Sequence, residues 1–286
     1  MNVKDLFRCM AVNKKMRAIA NDKSLWISWH LTGEIPAELL KQILTRGCQY
    51  LSLYSCKILN TARFEENYDL KYLNIYNCSV GTFDPFYCLA DLSNSSHNLE
   101  KFSFWCSTIS HKFQCLNFIR NNYGTLRVLF LEDYRFRHIV AYCSELVELN
   151  ISCLPENCLT KKCVKFICDN LTTKIRKLDV TGQRNFGDEE LKTLLKRCNK
   201  LTEFAFQFSS VTDASVKTII DNLSETLIKI NCTGTISKHG LIELSSMPKL
   251  KVVGEELQIA SPYQCFGFHQ GPSGFWEIKG KPQNFI

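Results

Sequence analysis

CNKLTEFAFQFSSVTDASVKTIIDN, residues 198–222, holds one complete structural unit. Leu201, Phe204 and Phe206 alternate as a strand with one buried face requires. Ser209 to Asp213 is turn chemistry, and Thr212 or Asp213 can cap a helix by accepting a backbone N–H bond. Val216, Ile219, Ile220 and Leu223 then follow at helical spacing. The unit before it repeats the order: Leu178 and Val180, then Gly187-Asp188, then Leu191, Leu194 and Leu195. Neither unit can bury its apolar side alone.

The opening phrase of this unit recurs about nine times. It reads CQYLSLYSC from Cys48, LKYLNIYNC from Leu70, LEKFSFWC from Leu99, LRVLFL from Leu126 and LVELNISC from Leu146. It continues as IRKLDV from Ile175, LTEFAF from Leu201, LIKINC from Leu227 and LKVV from Leu250. The second apolar anchors are Leu51, Leu73, Phe102, Leu129, Leu149, Leu178, Phe204, Ile230 and Val253, spaced by 22, 29, 27, 20, 29, 26, 26 and 23 residues. These periods predict leucine-rich repeats, each contributing one short strand and one helix. Stacked repeats make an α/β solenoid, with a curved parallel sheet inside and helices outside. The array is expected over residues 48–260. Its extended concave face suits a macromolecule better than an enclosed small substrate.

Side chains between the buried anchors should line that face. They include Tyr50 and Ser52, Lys101 and Ser103, Val128, Glu148, Lys177, Glu203 and Gln207. The candidate substrate contacts are Tyr54, Tyr72, Tyr76, Trp105, Phe130, Glu132, Asn150 and Asp179. The first four expected strands present six aromatics, the side chains that contribute most at protein interfaces.

The 286 residues are 45% apolar, enough for a sizeable core. No run of about 18 apolar residues predicts a membrane span. MNVKDLFRCM carries early charges and does not read as a secretory signal, so nucleus and cytoplasm are the expected compartments. The 15 cysteines are then read as small buried apolar groups with reduced thiols. Cys56, Cys78, Cys106, Cys153 and Cys232 fall at or just after expected strands, and Cys143 and Cys198 three residues before Leu146 and Leu201. Cys153, Cys158, Cys163 and Cys168 lie five apart, unlike the close pairs of zinc sites, so no metal or other cofactor is expected. The net charge is +7, of which residues 1–30 hold +4. No dense basic stripe marks a nucleic-acid binder; the basic end suits an acidic protein partner or a solvated helix face.

The repeat phrase Cys-x-x-Leu-x-x-Leu-x-Leu, followed by a Thr-Asp turn and a helix, resembles the cysteine-containing repeats of F-box proteins. Residues 3–26 add a second resemblance. Asp5-Leu6, Val12-Asn13, Lys14-Lys15 and Asp22-Lys23-Ser24-Leu25-Trp26 are similar to the second half of an F-box. The family's opening Leu-Pro-x-Glu helix is not among these residues, and Met16 stands where the family carries an aromatic. Residues 1–33 are therefore expected to be a partial F-box segment. The resemblance implies adaptor contacts at Leu6, Val12, Lys15, Met16, Leu25 and Trp26. Read without it, Leu6, Val12, Met16 and Ile19 fall near one face of an amphipathic helix that caps the first repeat.

Residues 261–286 carry Pro262, Gly267, Gly271, Pro272, Gly274, Gly280 and Pro282, which argue against a regular element. They also carry Tyr263, Phe266, Phe268, Phe275, Trp276 and Phe285, so this tail is expected to pack on the repeats rather than remain disordered. The sequence has no Gly-x-Ser-x-Gly, phosphate-binding glycine loop or His-Glu-x-x-His, and no catalytic role is expected. The resemblance implies a non-catalytic substrate receptor of an SCF-type ubiquitin ligase. Its N-terminus would bind the adaptor, and through it the cullin. Its concave face would hold a protein substrate, phosphorylated or not. The alternative is a leucine-rich-repeat scaffold or inhibitor with no ligase link.

Overall fold

The computed structural model describes residues 3–60, 62–80, 91–105, 112–131, 140–152, 159–253, 268–270 and 276–278. The chain opens with α1 (Val3–Val12) and α2 (Lys14–Ala20). Asn13 separates them: its backbone is extended and its side chain accepts the Met16 N–H at 2.9 Å. Asn competes well for such capping positions, which ends one helix and starts another. The expected single apolar face therefore does not form. Leu6 is 1% exposed, whereas Val12 is 67% and Ile19 53% exposed.

β1 (Ser28–Pro36) follows, then α3 (Ala37–Thr45) and β2 (Tyr50–Leu59). β3 (Tyr72–Tyr76), β4 (Ser79–Val80) and β5 (Lys101–Trp105) come next. The remaining units are α4 (Lys112–Asn122), β6 (Val128–Leu131), β7 (Glu148–Asn150), α5 (Lys161–Asn170), β8 (Lys177–Asp179) and α6 (Asp188–Arg197). The array ends with β9 (Glu203–Ala205), α7 (Val216–Leu223), β10 (Lys229–Asn231), α8 (Lys238–Ser245) and β11 (Val252–Val253). Among the described residues, these strands form one parallel sheet in the order β1-β2-β3-β5-β6-β7-β8-β9-β10-β11, and β4 pairs with the end of β2. The fold is the α/β repeat solenoid expected from the sequence.

Along the main path of the sheet, each ladder joins anchor to anchor. Leu51 pairs with Leu73, Leu73 with Phe102, Phe102 with Leu129 and Leu129 with Leu149. The line continues through Leu178, Phe204, Ile230 and Val253. It also extends backwards, because Trp29 of β1 pairs with Leu51. The sheet thus begins at Ser28, inside the segment taken as part of the F-box and ahead of the expected start at residue 48. β1 lacks the leucine phrase, and Trp29 occupies the anchor place.

The repeats share a left-handed kink after the anchor, which lies inside β1 and β2 and beyond the end of the later strands. Gly33, Ser55, Asn77, Gly182, Phe208 and Gly234 each lie four residues after an anchor, and each has positive φ, from 46° to 79°. That left-handed conformation suits Gly and Asn and is unfavourable for an aromatic. Phe208 adopts it at φ 52° while remaining 64% exposed. Its ring lies over the next repeat's turn, where a Cβ on Gly234 would meet Phe208 Cε1 at 3.2 Å.

Side-chain bonds tie the helix starts together. The Asp188 carboxylate accepts the Thr212 N–H at 2.9 Å and hydroxyl at 2.8 Å, and also the Ser215 hydroxyl. One repeat later, Asp213 accepts the Ser237 N–H at 2.8 Å and its hydroxyl. The acid that opens one helix thus satisfies the N-cap residue of the next. Hydrogen bonds from Ser237 hold Asp213 below its ordinary pKa. Burial pushes Asp188 up, but the bonds from Ser215 and Thr212 outweigh it and leave it low. These staples are present above about pH 4 and fail as protonation reaches the lowered values.

The conserved geometry of the repeats uses thiols as packing groups. Burial pushes Cys48, Cys143 and Cys232 up to about 12, and Cys198 to about 11. Cys163 and Cys168 are buried on α5; Cys106, Cys153 and Cys158 lie outside the described residues. Of the tail, β12 (Phe268–Gln270) and β13 (Trp276–Ile278) form an antiparallel pair, a regular pairing that the Gly and Pro content had argued against. The expected packing of the tail on the repeats lies outside the described residues.

Replacing Phe208 with Gly should relieve the left-handed backbone and raise stability by about 1 kcal/mol. Urea denaturation of the two proteins checks this. A less stable variant would show that the ring's contact over Gly234 outweighs the backbone strain.

Candidate functional site

The N-terminal segment is locked onto the first repeat by one aromatic cluster. Trp26 is fully buried and donates its indole N–H to the Ala20 carbonyl at 2.7 Å. Phe7 of α1 meets it edge-on at 5.6 Å between centroids, and Trp29 of β1 lies 5.7 Å away. Arg46, just after α3, places its guanidinium 4.8 Å from the Trp26 ring and 5.1 Å from Phe7. The same side chain donates to the Gln42 carbonyl at 3.0 Å. On the helical side, Arg17 Nε donates to the Met10 carbonyl at 3.0 Å, tying α2 to α1.

This arrangement divides the expected adaptor contacts. Leu6 and Trp26 are spent on the chain's own core and present no surface to a partner. Leu25 and Met16 are half-buried. Val12 and Lys15 are exposed, and Ile19, with Ile27 at 39% exposure, joins them as exposed apolar surface. Ile19 and Ile27 were not among the expected contacts; their apolar character beside charged neighbours was the available signal of exposed apolar surface.

The concave face falls into two sectors. On β1 to β6 it is aromatic. Tyr54 and Tyr76 stack at 4.9 Å with planes 7° apart, and His30 of β1 lies 6.1 Å from Tyr54. Tyr50 and Tyr72 meet edge-on at 4.8 Å. Trp105 pairs in register with Tyr76, and its buried indole Nε1 has no hydrogen-bond partner among the described residues. Lys101 points over Tyr72 at 5.8 Å and over Phe130 at 5.4 Å. Burial lowers the His30 pKa and, as the main cause, raises that of Tyr72, so both are neutral at pH 7.

On β7 to β10 the face is polar and ionic. Glu203 accepts Lys177 at 3.2 Å and Lys229 at 3.6 Å, forming a charge relay across three strands. Deeper in the face, Asn150 donates to Asp179 at 3.3 Å, and Asp179 also accepts the Thr181 N–H at 2.9 Å. Asp179 is only 9% exposed, and burial pushes its carboxyl up to about 6 despite the Thr181 bonds. Phe130 and Asn150 are likewise buried, at 3% and 7%. The expected contacts with accessible surface are thus Tyr54, Tyr72, Tyr76 and Trp105, all half-buried. Glu132 lies outside the described residues. His30 and Lys229 were missed, the first because β1 lacks the repeat phrase.

Two outcomes test these readings. Arg46→Ala should remove a partly buried cation–π contact worth about 1–2 kcal/mol. Hydrogen exchange should then quicken across residues 3–26 while the strands from β5 onward keep their protection. Asp179 binds its proton more tightly in the folded chain than in the unfolded one. Its contribution to stability therefore falls by up to about 3 kcal/mol as pH rises from 4 to 6. Denaturation curves across that range should show the slope in the wild type and lose it in Asp179→Asn.

Comparison with known proteins places the N-terminal segment in context. Residues 1–28 match the F-box domain family. Among solved structures, the chain is similar to one from the yeast complex of Rad7 and Elc1, at 15% identity and a TM-score of 0.48, covering 87% of this chain and 81% of that one. It is also similar to an internalin, inlF, of Listeria monocytogenes str. 4b F2365, at 13% identity and a TM-score of 0.39, covering 76% and 69%. No curated protein matches the chain. The match to the F-box family covers the first 28 residues, and the described residues from Ser28 to Val253 form a parallel α/β repeat solenoid.

Proposed function

We propose that this protein is the substrate-recognition subunit of an SCF-type ubiquitin ligase. The observation that carries the reading is the F-box match at residues 1–28, held against the first strand of a solenoid by Trp26 and Arg46. A receptor needs one surface for the adaptor and another for its target. It performs no bond chemistry; it fixes the target near the transfer machinery, which raises effective concentration. The exposed Val12, Lys15 and Ile19 supply the first surface, with Met16 and Leu25 half-buried beside them. The aromatic sector around Tyr54, Tyr72, Tyr76 and Trp105 supplies the second. Cullin joins through the adaptor, the bound substrate is marked for proteasomal degradation, and the work is done in nucleus and cytoplasm.

Within F-box receptors, two segments are similar to S-phase kinase-associated protein 2, a cell-cycle regulator. His30-Leu31-Thr32-Gly33 lies within β1, and Trp276-Glu277-Ile278 of the Phe275–Lys279 match forms β13. The second reading, a repeat scaffold or inhibitor without ligase links, draws on the burial of Leu6 and Trp26, which makes the segment a cap for the solenoid.

The purified chain should bind the SCF adaptor subunit in a pull-down. A Val12→Asp, Ile19→Asp double variant should fold normally and lose at least tenfold in affinity. These positions are exposed, so loss of binding cannot be ascribed to a broken core. Absence of adaptor binding by the well-folded wild type would favour the scaffold.

A further inference from the structure

Cys56 and Cys78 stand directly opposite each other in the sheet. β2 and β3 pair with Tyr54 against Tyr76, and β2 and β4 pair with Lys57 against Ser79. The offset is 22 residues on both sides, so it places Cys56 against Cys78. Neighbouring strands lie about 4.8 Å apart, within the Cα separation of roughly 4.4–6.8 Å that a disulfide spans. Both residues carry thiols in this structure. Their sulfurs point the same way: Cys56 donates to the Leu31 carbonyl at 3.0 Å, and Cys78 to the Leu53 carbonyl at 3.4 Å. Each thiol also shifts the acidity of the other. For Cys48, Cys143, Cys198 and Cys232, by contrast, burial is the leading influence on acidity.

We propose that Cys56 and Cys78 are an oxidative cross-linking site, converted by a hydroperoxide into a disulfide that staples the second and third main strands of the sheet. The inference is independent of the ligase reading. The two thiols are not equivalent. Interaction with the Cys56 thiol holds Cys78 below the ordinary thiol value, while the same interaction and burial raise Cys56. Cys78 is also the more exposed, at 7% against 1%. Cys78 is therefore the attacking group and Cys56 the resolving one.

The Cys78 thiolate attacks the terminal peroxide oxygen, the O–O bond breaks, and an alcohol (water, for hydrogen peroxide) leaves with the Cys78 proton. Cys78 becomes a sulfenic acid. The Cys56 sulfur then attacks the Cys78 sulfur, the S–O bond breaks, and the hydroxide departs with the Cys56 proton as water. Two thiols have lost two electrons and two protons to one hydroperoxide. The product is a core cross-link two residues beyond the Tyr54–Tyr76 stack.

The test treats the folded full-length chain with hydrogen peroxide, blocks remaining thiols and digests it with chymotrypsin. Cleavage after Tyr54 and Tyr76 separates Cys56 from Cys48, and cleavage after Phe83 separates Cys78 from Cys88. The expected result is a linked Cys56–Cys78 peptide two hydrogens lighter than its parts, reversed by a thiol reductant and accompanied by a higher melting temperature. Cys56→Ser and Cys78→Ser should each abolish the link, and Cys48→Ser should retain it. Oxidation of the half-buried Cys9 without any Cys56–Cys78 link in the wild-type chain would overturn the proposal. So would a link that forms only after the chain is unfolded in urea, or a link from Cys78 to some other cysteine. Those readouts need only the wild type, so a serine variant that fails to fold does not rescue the idea.

Discussion

The register of the parallel sheet is the constraint on which the molecule depends. One line of apolar anchors runs from Trp29 to Val253, each paired with its equivalent in the next repeat. In a strand, a slip of one residue turns every side chain to the opposite face. Here such a slip would move Leu51, Leu73 or Phe104 out of the core and put Tyr54 or Lys101 into it. Each buried leucine or phenylalanine contributes about 1.5–3 kcal/mol, so the correct register wins by a wide margin. The concave surface is a by-product of that choice, because whatever alternates with the anchors must face the other way.

The same register explains how charges and aromatics come to lie in rows. Residues one before the anchor stack as Tyr50, Tyr72, Lys101, Val128, Glu148, Lys177, Glu203 and Lys229. Adjacent members of such a row interact in pairs. The sequence therefore writes a surface by what it places at one position per repeat, and here it writes aromatics first and alternating charge later. The exposed Lys–Glu contacts add little stability, as surface ion pairs do. They keep the later strands' face from being an apolar patch. The aromatic rows, backed by a buried polar layer of Ser52, Asn74 and Ser103, offer larger contact area at little rotamer cost.

Much of this was legible in the residues. The spacing of the anchors gave the repeat, and the pairings follow it residue for residue. What escaped was local. β1 has no leucine phrase, and only its pairing with Leu51 reveals Trp29 as an anchor. Asn13 falls inside the span read as one amphipathic helix, but its side chain ends one helix and starts the next, and Leu6 is buried while Val12 and Ile19 are exposed. The buried state of Asp179, Asn150 and Phe130 could not be read from alternation, which gives the face a side chain points to and not the depth at which it sits. Leu6 and Trp26 show the same limit: an apolar residue in an F-box-like motif reads identically whether it meets a partner or its own chain.

That last point bears on how the two ends of the reading connect. If Trp26 were a loose contact residue, the N-terminal helices would be a module swinging on a linker. Instead it sits between Phe7, Trp29 and Arg46, which belong to α1, β1 and the end of α3. Between the helical segment and the sheet there is no spacer, since Trp26 is two residues from the first strand. A group held on α2 is then fixed relative to a group held on the concave face, apart from small elastic motions. For a protein that works by placing one partner near another, fixed geometry is what converts binding into proximity. On the proposed receptor reading, burying Trp26 removes one of the expected adaptor contacts and gives the exposed ones a defined orientation.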